Sequence, residues 1–131
     1  KTNNLTILDA SYSANPYGVI ADLDYLKIYP EKKIIIMPSL IELGKESEQA
    51  HIEIGEKIGK VCDLAIVTTN DNFKEVEIGT LKANMKSENI LLIEDVPEIV
   101  QKINSFCKKE QGKCVVLLEG RVPKRLIQEL K

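Results

Sequence analysis

Lys33-Ile34-Ile35-Ile36-Met37 and Asp63-Leu64-Ala65-Ile66-Val67-Thr68 are two short apolar runs, and the residues between them follow a different period. Both runs are strand-sized and apolar at consecutive positions, the pattern of strands covered on both faces. Between them, from Ser47 onward, Ile52, Ile54, Ile58 and Val61 suggest an amphipathic helix. Strand, helix, strand is the parallel β-α-β unit. The alternation continues outward in both directions. Upstream, Leu5-Thr6-Ile7-Leu8 precedes Val19, Leu23, Leu26 and Ile28 at near-helical spacing, behind Pro16 and Gly18. Downstream, a polar knot at residues 69–72 leads to Phe73, Val76, Leu81 and Met85, a helix weakened by Gly79. Residues 90–93 form a fourth strand candidate. Asp95-Val96-Pro97-Glu98 is a helix start, with Asp as N-cap, Pro in the first turn and Glu at N3. Ile99, Ile103 and Phe106 carry that helix to Gly112, residues 115–118 are a fifth strand, and residues 124–130 a short basic helix.

Five β-α repeats predict an α/β fold: a Rossmann-like, doubly wound, mostly parallel sheet of five or six strands with helices on both faces. Ligands of such sheets bind outside the carboxyl ends of the strands. The loops that matter are therefore residues 10–17, 38–46, 69–74 and 119–123.

The chain has 131 residues, 18 Lys and Arg against 20 Asp and Glu, and a formal charge of −2. That length predicts one domain, residues 1–131, with no internal linker or repeat. The slight acidic excess argues against a nucleic-acid partner. No apolar run approaches the roughly 20 residues a membrane helix needs, so no membrane insertion is expected. The polar start Lys1-Thr2-Asn3-Asn4 does not read as a signal peptide, and the absence of an initial Met suggests a fragment of a longer protein. Cys62, Cys107 and Cys114 have no C-x-x-C spacing; Cys62 and Cys114 read as small core residues, and reduced thiols suit a cytoplasmic protein.

Several chemistries are missing. Gly55-Glu56-Lys57-Ile58-Gly59-Lys60-Val61 is one residue short of a phosphate loop, ends in Val and falls inside a helix. There is no G-x-G-x-x-G after the first strand and no G-x-S-x-G elbow. His51, the single histidine, has no Cys or carboxylate at ligand spacing, so no metal site is expected. Asp9 lacks an acidic neighbour and Asp71 falls late for a receiver-type phosphorylation site. Composition and periodicity alone stop at an α/β binding domain.

The loops say more. Asp9-Ala10-Ser11-Tyr12-Ser13-Ala14-Asn15-Pro16 resembles the D-D-S-Y-N-A-N-P segment that opens the C-terminal domain of the Mur ligases. Ile36-Met37-Pro38-Ser39-Leu40-Ile41-Glu42-Leu43-Gly44, followed by Ser47 and His51, is similar to the V-L-G-D-M-x-E-L-G…S…H of the branch that adds D-alanyl-D-alanine. Leu117-Leu118-Glu119-Gly120-Arg121 with Arg125-Leu126 is similar to the family's L-V-K-G-S-R-G-M-R-L. The blocks fall in the family's order and span nearly the whole chain.

The resemblance implies the amino-substrate-binding third domain of an ATP-dependent ligase of cell-wall (peptidoglycan) biosynthesis. Such ligases use ATP and Mg2+ to activate a carboxylate of a UDP-linked muramoyl peptide, which an amino acid or dipeptide amine then attacks. The N-terminal and central domains, with the phosphate loop, would be partners missing from this chain, and the isolated domain would be inactive. A non-catalytic Mur-like interaction module, or a pseudoenzyme domain, is the alternative. Tyr12 and Asn15 are the candidates to face nucleotide, although Asn15-Pro16 can equally initiate a helix and Tyr12 can simply pack. Arg121 and Arg125 suit a bidentate grip on a substrate carboxylate, or form the solvated end of the last helix. Asp71-Asn72-Phe73-Lys74 looks like a degraded D-N-P-R, a substrate clamp in another branch, or a plain loop. It makes Asp71, Asn72 and Lys74 substrate-binding candidates, with Lys unable to reproduce the Arg fork. Pro16, Glu42 and His51 are read as structuring the loops, His51 by satisfying a backbone group. Ala10, Ser13, Pro38, Ser39 and Glu119 depart from the family pattern. Glu119 for Lys is a charge reversal that would disfavour an anionic ligand nearby.

Overall fold

The structure is a computed structural model that describes residues 4–11, 15–40, 46–109 and 113–130. Five strands, β1 (Asn4–Ala10), β2 (Lys32–Met37), β3 (Leu64–Val67), β4 (Ile90–Leu92) and β5 (Lys113–Glu119), pair in parallel in the order β1-β5-β2-β3-β4. The helices are α1 (Pro16–Leu26), α2 (Ser47–Val61), α3 (Phe73–Lys82), α4 (Val96–Lys109) and α5 (Lys124–Leu130), with a short 3-10 turn at Ser87–Asn89. The expected doubly wound architecture is present, with five strands, all parallel.

The strand order decides which face each helix covers. Steps from β1 through β4 run one way along the sheet, and right-handed crossovers put α1, α2 and α3 on one face. The step from β4 back to β5 reverses direction, so α4 and α5 lie on the other. The two cores confirm it. Val19 and Leu23 of α1, Ile54 of α2 and Val76 of α3 pack with Ile35, Val67 and Leu117. Ile99 and Ile103 of α4 and Leu126 of α5 pack with Ile36, Ile66 and Val116. Successive residues of β2, β3 and β5 alternate between these cores, which is why those strands read as unbroken apolar runs.

Three helix details differ from the periodicity. Ile28 lies past the end of α1 and is 70% exposed. Leu81 is exposed on α3, and Met85 is buried three residues beyond its end. Gly79 does not weaken α3 so much as bring it close to α2: a Cβ there would collide with the Ile52 carbonyl and approach Glu56 N to 2.7 Å. Gly55 faces the same contact, since its Cβ would strike the Val76 carbonyl. The string that failed as a phosphate loop is a helix face built for close backbone packing.

Candidate functional site

β5 lies between β1 and β2, and its following helix goes to the opposite face from theirs. The carboxyl ends of β1, β5 and β2 therefore border a switch-point crevice. Four loops rim it.

After β1, Asp9 Oδ1 accepts from the Ser11 amide at 3.0 Å and from Ser11 Oγ at 2.5 Å, which turns the chain. Asn15 caps α1. Its extended backbone (φ −141°) starts the helix, and its Oδ1 accepts from Gly18 N at 2.8 Å. Pro16 occupies the first helical turn. The expected helix initiation is present; Tyr12 and Glu42 lie outside the described residues.

After β2, His51 is fully buried and wires the loop to α2. Leu40 N donates to Nε2 at 3.0 Å, so Nε2 carries no proton. Nδ1 then bears the hydrogen and donates to the Ser47 carbonyl at 2.7 Å. Ser47 Oγ donates onward to Asn72 Oδ1 at 3.2 Å. Asn72, in the left-handed region at φ 59°, places Nδ2 3.4 Å from Glu75 Oε1. Two residues singled out for different reasons, His51 and Asn72, are thus joined through Ser47 into one network. Ser39 N donates to Thr69 Oγ1 at 2.8 Å and makes a second tie between the loops after β2 and β3. Asp71 and Lys74 beside this network are exposed.

After β5, Gly120 takes φ 73° and donates to the Ala10 carbonyl at 3.2 Å, closing β5 onto β1. Arg121 is exposed, and Arg125 Nε donates to Glu129 Oε2 at 2.9 Å. That bond uses Nε only, so the terminal nitrogens remain for a carboxylate. Asn15 and the two arginines belong to different loops from the His51 network.

Glu119 is the residue the sequence misplaced. It is fully buried beneath α1, and neither carboxylate oxygen has a hydrogen-bond partner. Burial first, and the Asp22 carboxyl on α1 second, push its carboxyl up to about 9. Near neutral pH Glu119 is an uncharged acid, whose O–H can face the Asp22 carboxylate. The expected charge reversal therefore does not reach a ligand. Its only sequence signal was its place at the end of an apolar strand. Burial also drives the Cys62 thiol far above its ordinary range, so Cys62 is not a nucleophile. Among the described residues, no group of three or more His, Cys, Asp or Glu could hold a metal ion.

A sequence profile described as "Mur ligase, glutamate ligase domain" matches residues 1–121. The chain belongs to the Mur ligase C-terminal family. Over 117 residues it is 27% identical to the UDP-N-acetylmuramoyl-tripeptide–D-alanyl-D-alanine ligase of Haemophilus influenzae, covering 89% of this chain and 24% of that one. Over 53 residues it is 36% identical to the Escherichia coli enzyme of the same name, covering 40% and 12%. The MurF ligase of Thermotoga maritima, solved in complex with ADP, superposes with a TM-score of 0.72 at 26% identity, across 98% of this chain and 28% of that one. MurF from Acinetobacter baumannii shares the fold, with a TM-score of 0.72 at 20% identity, across 92% of this chain and 26% of that one. This Mur ligase domain spans about a quarter of the length of the relatives it matches.

Proposed function

We propose that the chain is the amino-substrate-binding domain of a cytoplasmic, ATP-dependent amide ligase that adds an amino acid or dipeptide to a UDP-linked muramoyl peptide. The observation that carries this reading is the carboxyl-end crevice of a Mur ligase domain, its loops tied in place by His51, Ser47 and Asn72. The N-terminal and central domains of a longer protein are the partners it requires.

The residues divide the work by position. The amino end of α1, opened by Asn15 and Pro16, brings the positive end of the helix dipole and the Tyr17 backbone N–H to this end of the sheet, which suits nucleotide phosphate, although Asn15 already caps Gly18 N. Tyr12, two residues after Ala10, is placed by sequence on the same loop. Arg121 and Arg125 offer guanidinium groups for a substrate carboxylate, and Asp71, Asn72 and Lys74 border the loop after β3. An amine held here by its carboxylate would be oriented toward an acyl phosphate formed on the neighbouring domain. ATP supplies the phosphoryl group that activates the carboxylate. The described carboxylates do not make a Mg2+ site, so no step is assigned to a metal in this domain.

The test uses the full-length protein. Phosphate release should require both a muramoyl peptide and an amine. Asn15→Ala should lower ATP-dependent turnover, and Arg125→Ala should raise KM for the amine about tenfold, the loss of one charge-assisted contact. Unchanged kinetics in both variants would overturn the site assignment. Absence of turnover with every amine would favour the non-catalytic module.

A further inference from the structure

A second cleft lies away from this crevice, at the amino end of the edge strand β4. It encloses about 510 Å3 between one face of α4 and the 3-10 turn Ser87–Asn89. Lys102, Phe106 and Lys109 line it from α4, at positions one turn apart on a single helix face. Lys86, Glu88 and Asn89 line it from the turn.

The charge pattern of this cleft runs against that of the chain. Three ammonium groups meet one carboxylate, in a protein whose formal charge is −2. Some lysines elsewhere are paired, Lys57 and Lys27 with Asp24, Lys82 with Glu56, Lys32 with Asp63, whereas others, such as Lys60, Lys74 and Lys124, stand exposed outside this cleft. Among the described residues, Lys86, Lys102 and Lys109 form no ion pair. The dipole at the carboxyl end of α4 explains Lys109. It does not explain Lys102, two turns earlier and half-buried, or Lys86, which belongs to another element. The half-buried Asn89 side chain adds a neutral donor, and the half-buried Phe106 ring an apolar wall. The volume is in the range of small-ligand sites, and the mostly polar, net positive wall suits a charged ligand and not an apolar one.

We propose that this cleft binds a phosphorylated small molecule through its phosphomonoester or diphosphate group, with Lys86, Lys102 and Lys109 as the cationic contacts. The site lies at the opposite end of the sheet from the crevice, so the ligand is an effector and not a reactant. The proposal does not depend on the ligase reading.

Titration of the 15N-labelled 131-residue chain with pyrophosphate tests it. The expected result is saturable shifts confined to the amides around Lys86–Asn89 and Lys102–Lys109. Lys102→Gln should weaken binding about tenfold, and Lys86→Gln combined with Lys102→Gln should abolish it. Lys82→Gln, on α3 and paired with Glu56 of α2, should bind like the parent. Linear, unsaturable shifts, shifts centred on the α1 amino end, or unchanged binding by the double variant would each overturn the proposal. So would sedimentation with phosphatidylglycerol vesicles without any response to pyrophosphate.

Discussion

A carboxyl group sealed from water with no donor in reach keeps its proton, and Glu119 carries a pH dependence as a result. Its folded value is raised from 4.5 to about 9. Between those values the unfolded chain has released a proton that the folded chain retains, so stability falls as pH rises. The penalty is absent at acidic pH and fully developed only above the folded value. Glu119→Gln removes the titration and leaves a neutral side chain of nearly the same shape beside Asp22. The variant should be more stable than the parent at about pH 8, by about 1–3 kcal/mol, and should converge on it below about pH 4. Equal urea midpoints at both pH values would refute this. His51 acts by hydrogen bonding. His51→Phe keeps a planar ring, slightly larger, but strands the Leu40 amide, so unfolding should cost about 1–3 kcal/mol less than in the parent. The amides of residues 46–51 should also exchange hydrogen faster.

At the scale of elements, the contact of α2 with α3 sets two effects against each other. Alanine in place of glycine inside a helix gains about 1 kcal/mol of intrinsic preference. At Gly79 the added methyl would overlap the Ile52 carbonyl on α2, backbone that cannot step aside as a side chain can. Overpacking of this kind costs about 1–3 kcal/mol, occasionally more, and here it wins. Gly79→Ala should be net destabilising by about 1–2 kcal/mol, read as a lower urea midpoint. A raised midpoint would mean that α3 can slide. The same contact shows what the sequence could and could not express. Strands β2, β3 and β5 and the Asp95 cap, whose Oδ2 accepts from Glu98 N at 3.1 Å, were legible because each depends on residues near in sequence. The purpose of Gly79 was not, because its partner, Ile52, lies on another helix. In the candidate site, His51 and Asn15 were legible as local structure-makers. The union of His51 with Asn72 was not, since Ser47 bridges loops 25 residues apart. Nor was the burial of Glu119, which depends on Asp22 of a helix that the chain reaches almost a hundred residues earlier.

For the whole molecule, the consequential fact is that the last strand is internal. Among the described residues, β5 is the only partner of β1 and one of two partners of β2, so β1 and β5 must meet before this sheet is complete. Its residues Cys114, Val115, Val116, Leu117 and Leu118 are all buried, alternating between the two cores. At roughly 1.5–3 kcal/mol for each buried aliphatic side chain, that strand contributes on the order of 10 kcal/mol. Single domains have only about 5–15 kcal/mol of net stability. A chain shortened to end at residue 112 should therefore lose the whole tertiary structure and not merely one edge. β1 would be left without a ladder, β2 would become an edge, and α4 would cover a sheet with its central rows missing. The intact chain should give one cooperative urea transition, identical by far-UV circular dichroism and by tyrosine fluorescence, whereas the shortened chain should give a collapsed amide spectrum and no transition. Dispersed amide signals from β2, β3 and β4 in the shortened chain would show instead that these strands and their helices form an independent unit onto which β1 and β5 are later added.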